Sequence, residues 1–86
     1  MRRNDIFRLI VQHAREVVPE LTEQQIEERD SLVDLGANSM DRTEIIILLL
    51  ESLNLKIPLI DLEGATCIGE LTDLVYAKSP GTSQNN

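Results

Sequence analysis

The stretch SMDRTEIIILLLESLN, residues 39–54, decides the fold. It is a run of strong helix formers, and at about 100° per residue its apolar positions divide between two sides. Leu49, Leu53, Ile46, Ile45 and Leu50 gather on one side and can fill a core. Ile47, Glu51, Glu44 and Leu48 gather on the other, beside Met40 and, at the margin, Asp41. Such a helix either buries both faces or offers the second one, apolar groups bordered by carboxylates, to basic and partly apolar partners.

The remaining chain supplies partners for the first face. Residues 5–18 predict a helix with Leu9, Ile6, Val17, Ile10, Ala14, Phe7, Val18 and Val11 on one broad arc and Arg8, Arg15 and Gln12 opposite. Asn4 is its expected N-cap and Pro19 its end. His13 falls at the edge of the arc, as a boundary histidine with one wet edge; no other His and only one Cys is present to make a metal site. Residues 19–38 predict a long loop, with a turn or two of helix starting at Glu23 from the capping-box spacing of Thr22-Glu23-Gln24-Gln25, and with Leu32, Val33 and Leu35 pinning the loop to the core. After Pro58, LIDLEG can make one short turn ended by Gly64. Thr66 is the expected cap of a last helix over 67–77, whose Ile68, Leu71, Leu74 and Val75 share a face and whose Gly69 costs about 1 kcal/mol relative to Ala. No strand alternation and no repeat is visible. The expectation is an all-α, small four-helix bundle with a short third helix: one domain over residues 1–78 and a disordered tail over 79–86.

Composition narrows the partners. The 86 residues carry a net charge of −7, spread as about +2 over the first eighteen and −9 over the rest. Phosphate backbones are repelled by most of such a surface, and one Phe, one Tyr and no Trp leave no base-stacking platform, so nucleic acid is a poor candidate. A protein with a basic docking face is a better one. Cys67 stands alone, which excludes a disulfide framework. No apolar span reaches the roughly 20 residues of a membrane helix, and a cytoplasmic monomer is the default expectation.

Two serines compete as a chemical handle. Ser31 sits inside the loop, where a serine commonly hydrogen-bonds its own backbone. Ser39 follows Gly36, which lets the chain turn, and Asn38, which can cap, and it opens the long helix. Free N–H groups and the positive end of the helix dipole converge there and favour an attached phosphate. Simple capping by Ser39 is the competing reading. A nucleophile would need an adjacent base, and neither Ser39 nor Cys67 has one evident in the sequence.

At these residues the sequence resembles the acyl carrier proteins. DLGANSMDRTEIIILLLESLNLKIP is similar to that family's central signature, Asp-Leu-Gly-Ala-Asp-Ser-Leu-Asp, a helix with Glu after it, then Ile-Pro, and the likeness runs without a gap from about Leu32 to Val75. The resemblance implies that Ser39 receives 4′-phosphopantetheine from coenzyme A through a phosphopantetheinyl transferase. It implies that acyl groups ride the arm as thioesters, and that the chain catalyses nothing itself. Implied partners are that transferase, an acyltransferase, and a ketosynthase or an HMG-synthase-like enzyme. Met40, Asp41, Glu44, Ile47, Leu48 and Glu51 are the expected docking residues. GANSMDR further resembles the discrete donor carriers of polyketide β-branching, which serve HMG-synthase-like enzymes; a fatty-acid carrier and a non-carrier helical adaptor are the alternatives. Asn38 and Met40 depart from the family's usual Asp and Leu, and Asn38 removes one negative charge beside the attachment point.

Overall fold

The computed structural model describes residues 2–79. Three α-helices, α1 (Arg3–Val17), α2 (Ser39–Leu53) and α3 (Ile68–Lys78), alternate with two 3₁₀ turns, Pro19–Glu23 and Leu59–Asp61, and there is no strand among the described residues. α1 packs against both other helices, whereas α2 and α3 share few close approaches. Ile6, Ile10 and Ala14 from α1 meet Ile45, Leu49 and Leu50 from α2 and Ile68, Leu71 and Val75 from α3 in one core. Leu21, Ile26, Leu32, Ala37 and Leu62 seal it from the connections. Leu53 and Ile46 lie half-buried against the same cluster, so the inward face of α2 is the expected one.

Several local expectations are corrected. The short third helix takes the form of a single 3₁₀ turn, because Pro58 before it and Gly64 after it leave too few residues for a full α-turn with its own bonds. The turn expected from Glu23 is instead a 3₁₀ turn ending there: Pro19 opens it, and the Thr22 hydroxyl donates back to the Pro19 carbonyl at 2.7 Å. α1 starts at Arg3 with Arg2 as N-cap, since Asp5 accepts the Arg2 N–H at 3.3 Å, and Asn4 lies inside the first turn. Val33 does not pin the loop; it is 54% exposed while Leu32 is buried. His13 has no wet edge. It is buried, with Nδ1 2.8 Å from Glu16 Oε1 and Nε2 2.8 Å from Ser52 Oγ, so it links α1 to α2. Residues 80–86, the greater part of the expected tail, lie outside the described residues; Ser79, the first of it, is buried and its hydroxyl donates to the Tyr76 carbonyl.

The long connection is fixed to α3 through backbone. The first N–H groups of a helix lack intrahelical partners. In α3 two of them donate to loop carbonyls, Ile68 to Asp30 at 2.9 Å and Gly69 to Glu28 at 2.8 Å. Thr66 does not cap: its N–H and hydroxyl both donate to Glu70, each at 2.8 Å, and the cap position is Cys67. The Gly69 Cα therefore lies against the loop, and a Cβ there would come within 3.1–3.2 Å of Glu28 side-chain and backbone atoms. Arg3 completes the tie, donating to both Glu28 oxygens and to Asp73.

These ties predict acid sensitivity. Arg3 beside Glu28, His13 beside Glu16, and the Thr66 donors on Glu70 hold all three carboxyls below their ordinary 4.5. A carboxyl lowered on folding contributes stability that is fully present above its unfolded value and is lost as pH falls through the lower folded one. Chemical denaturation from pH 6 down to pH 3 should show stability declining below about 4.5. Glu28→Gln should flatten that decline and lower the neutral-pH plateau slightly, since solvent screens so exposed a pair.

Candidate functional site

The start of α2 is built by the eight residues before it, 31–38. Ser31 organises the approach as expected of a loop serine: its Oγ accepts the Val33 N–H at 3.1 Å and its carbonyl accepts the Leu35 N–H at 3.0 Å. Gly36 then adopts a φ of +106°, a region that L side chains rarely enter, and turns the chain so that Ala37 is buried and its N–H reaches the Leu32 carbonyl. Asn38 takes the N-cap. Its side-chain oxygen accepts the Asp41 N–H at 2.8 Å, and the Asp41 carboxylate accepts the Asn38 N–H at 3.2 Å.

This reciprocal cap settles what Ser39 does in the fold. Ser39 is the first helical residue and not the cap. It is exposed, its carbonyl accepts the Thr43 hydroxyl at 3.1 Å, and its own Oγ enters no hydrogen bond among the described residues. The reading of Ser39 as a simple capping residue is thereby corrected: Asn38 has that task. An uncommitted hydroxyl at a helix N-terminus, beside N–H groups that point out of the helix, fits a covalently attached phosphodiester.

Two hollows adjoin the hydroxyl. A cavity of about 640 Å³ opens between the 31–33 turn, α2 and the segment from Leu62 to Leu71, and Ser39, Arg42, Thr43, Ile46, Thr66 and Cys67 line it. A shallower depression of about 330 Å³ on the other side is lined by Ser39, Met40, Thr43, Glu44 and Ile47. Three of the expected docking residues are thus grouped beside Ser39. Met40 is 81% exposed and Ile47 41%. Glu51 is exposed further along, and Leu48 is half-buried. Asp41 is the exception in kind, since its carboxylate is committed to the cap.

Sequence reasoning missed Arg42 and Thr43 as neighbours of the handle, although their spacing from Ser39, three and four residues, is the spacing of one helix face. It also missed Ile60, 74% exposed on the second 3₁₀ turn, because a single turn carries no periodicity to read. A hydrolytic role finds no base. His13 binds Ser52, thirteen residues along α2 from Ser39 and so about 20 Å away at 1.5 Å per residue.

Comparison with known proteins agrees with this geometry. Residues 8–75 match the model of the phosphopantetheine attachment site family. The chain is 47% identical over 78 residues, 91% of its length and 95% of the relative's, to the polyketide biosynthesis acyl-carrier-protein AcpK of Bacillus subtilis strain 168. It superposes with a TM-score of 0.87 and 45% identity, over 91% of its own length and all of the other chain, on a component of the crystal structure of the curacin biosynthetic pathway HMG synthase in complex with acetyl donor-ACP. The chain belongs to the phosphopantetheine-attachment family of acyl carrier proteins. It is a carrier and not a catalyst, and its prosthetic group is 4′-phosphopantetheine.

The division of labour at the helix start has a measurable consequence. Asn38→Ala should cost about 1 kcal/mol in urea unfolding, the usual loss for a cap. Ser39→Ala should stay within about 0.5 kcal/mol of the parent, as expected of an exposed residue outside such features. The reverse ranking would return the cap to Ser39.

Proposed function

We propose that Ser39 is the attachment point, and that the chain carries a short acyl group to an HMG-synthase-like enzyme in polyketide biosynthesis. The observation that carries this reading is the free, exposed Ser39 hydroxyl ahead of α2, with Asn38 doing the capping. In loading, the Ser39 Oγ attacks the pantetheine-side phosphorus of coenzyme A. The Oγ–P bond forms, the pyrophosphate P–O bond breaks, 3′,5′-adenosine bisphosphate leaves, and the hydroxyl proton passes to a base on a Mg²⁺-dependent transferase. When bound, the group supplies a terminal thiol that holds acyl cargo as a thioester. The chain's own part is to hold the attachment oxygen in the open and to present the surface beside it.

That surface is the outer face of α2. Met40, Ile47 and Leu48 supply apolar contact, and Glu44 and Glu51 supply the charge that orients a basic partner. Asp41 belongs to the same patch by position and serves it through the cap. An acyltransferase that loads the thiol and a ketosynthase or HMG-synthase-like enzyme that unloads it are the partners in keeping with this chemistry. The likeness to AcpK favours polyketide biosynthesis, and the likeness to the acetyl donor-ACP favours the HMG-synthase-like enzyme and an acetyl cargo. We place the carrier domain over residues 1–78, its Leu59–Asp61 turn in the position of the family's short third helix, and the monomeric protein in the cytoplasm.

Intact-mass measurement after incubation with coenzyme A and a broad-range transferase tests the attachment. The parent and Ser31→Ala should gain the mass of one arm, and Ser39→Ala should gain none. Loading of Ser39→Ala would move the attachment elsewhere. With the loaded protein, Glu44→Lys and Met40→Glu should each lower acetyl transfer to an HMG-synthase-like enzyme by roughly tenfold, the equivalent of about 1.4 kcal/mol of docking energy. Unchanged transfer in both would place the docking surface off α2.

A further inference from the structure

Arg42 is the only cation among the residues that line the larger cavity, and Ser39 lines the same cavity. The two stand three residues apart on α2, which sets their side chains on one face a turn apart. The Arg42 Nε is shut off from solvent with no hydrogen-bond partner, and Arg42 enters no ion pair among the described residues. Other arginines differ. Arg3 donates to Glu28, Asp73 and the Gly69 carbonyl, and Arg15 to the Leu21 and Gln24 carbonyls. A buried N–H without an acceptor carries the full penalty of its lost hydration, so the Arg42 side chain gains from any acceptor brought within reach.

The surroundings limit what that acceptor can be. Glu63 is the one carboxylate lining the cavity, and it forms no pair with Arg42. Asp41, next in sequence, has its carboxylate turned to the Asn38 N–H. The residue before the serine is a neutral Asn, so no acid there competes for the guanidinium. An anion joined to Ser39 Oγ would arrive one turn from Arg42, and the flat guanidinium fork matches two oxygens of a phosphate.

We propose that Arg42 is the counter-cation of the phosphodiester on Ser39. On loading, the guanidinium turns toward the mouth of the cavity, and its Nε–H and one Nη–H donate to the two non-bridging oxygens. Arg42 is thus a positioning residue: it fixes the root of the arm and gives its buried N–H the acceptor that the unloaded chain lacks. This rests on the attachment at Ser39 proposed above.

Nitrogen-15-labelled parent, Arg42→Gln and Arg42→Lys, each before and after loading with coenzyme A and a broad-range transferase, test it, with intact mass recorded on every sample. The Arg42 Nε–H resonance, identified by its loss in both variants, should move on loading of the parent. The phosphorus resonance of the loaded parent should differ from that of loaded Arg42→Gln, with Arg42→Lys, charged but without the fork, between them. An Nε–H resonance unmoved by loading, together with one phosphorus shift common to all three, would overturn the pairing. So would a loss of acyl transfer in Arg42→Gln with both signals unchanged, which would make Arg42 a partner contact. Absence of the arm's mass from the parent would be a failure of the Ser39 attachment itself, and the pairing would fall with it. Backbone amide spectra of the unloaded variants report their folding, and Arg42→Lys serves if Arg42→Gln does not fold.

Discussion

The exchange of hydrogen bonds between Asn38 and Asp41 is the constraint on which the site depends. A helix start needs acceptors for its first N–H groups, and a serine placed there would ordinarily be consumed in supplying one. Here the cap lies one residue earlier, and an acid three residues later returns the bond to the backbone of the cap. The serine between them keeps helical geometry, an exposed side chain and a free hydroxyl. Capping by Asn also leaves Ser39 without an adjacent carboxylate at the cap, which would favour the negatively charged group proposed to be attached there. Local fold stability and chemical availability are thereby assigned to different residues.

A second constraint places that helix start at an open cavity. The loop between α1 and α2 gives its Glu28 and Asp30 carbonyls to the first turn of α3, and Arg3 holds the Glu28 side chain from α1. α3 is therefore anchored through the loop and through α1, and its backbone comes close to that of α2 at few points. The space left between α2 and the segment leading into α3 is the cavity beside Ser39. Gly69 has a tertiary reason to be glycine: its helix passes so close to Glu28 that a methyl group would press on the loop. The helix-propensity cost visible in the sequence is offset by a backbone hydrogen bond that only close approach permits.

Legibility in the sequence followed the range of the interaction. The three α-helices and their inward faces were readable because 3.6-residue periodicity is local, and Ile45, Leu49 and Leu50 lie buried as the pattern of α2 requires. The Ser31 and Ser39 contrast was readable too, since Gly36, Asn38 and the following helix are all neighbours in sequence. What failed was decided at a distance or over too few residues. His13 looked like a boundary residue until Ser52 of another helix came to meet it. Thr22 had capping-box spacing and Thr66 stood just ahead of an apolar helical run, yet Pro19 pre-set a 3₁₀ turn in one case and Glu70 drew the donors in the other. Asn4 lost the cap to Arg2 because Asp5, three residues on from Arg2, accepts its N–H. Arg42 could be placed near Ser39 by counting, but the burial of its unpartnered Nε is a tertiary feature that counting does not show.

The outer face of α2 completes the logic of a carrier. Met40 and Ile47 remain in water in the free chain, and each forgoes part of the 1.5–3 kcal/mol or so that full burial of such a side chain provides. A helix selected only for stability would place polar groups there, and Glu44 and Glu51 show that the same face accepts them. The forgone burial is recoverable only on a partner, and a few such side chains recover only a few kcal/mol, against the several that association costs. Docking of the kind proposed for this face would be brief, since acids around an apolar strip raise the rate of encounter with basic partners more than they slow departure. A shuttle must leave each enzyme as readily as it finds the next. An apolar strip of this size, bordered by carboxylates and adjoining the proposed attachment residue, would meet both requirements with one helix face.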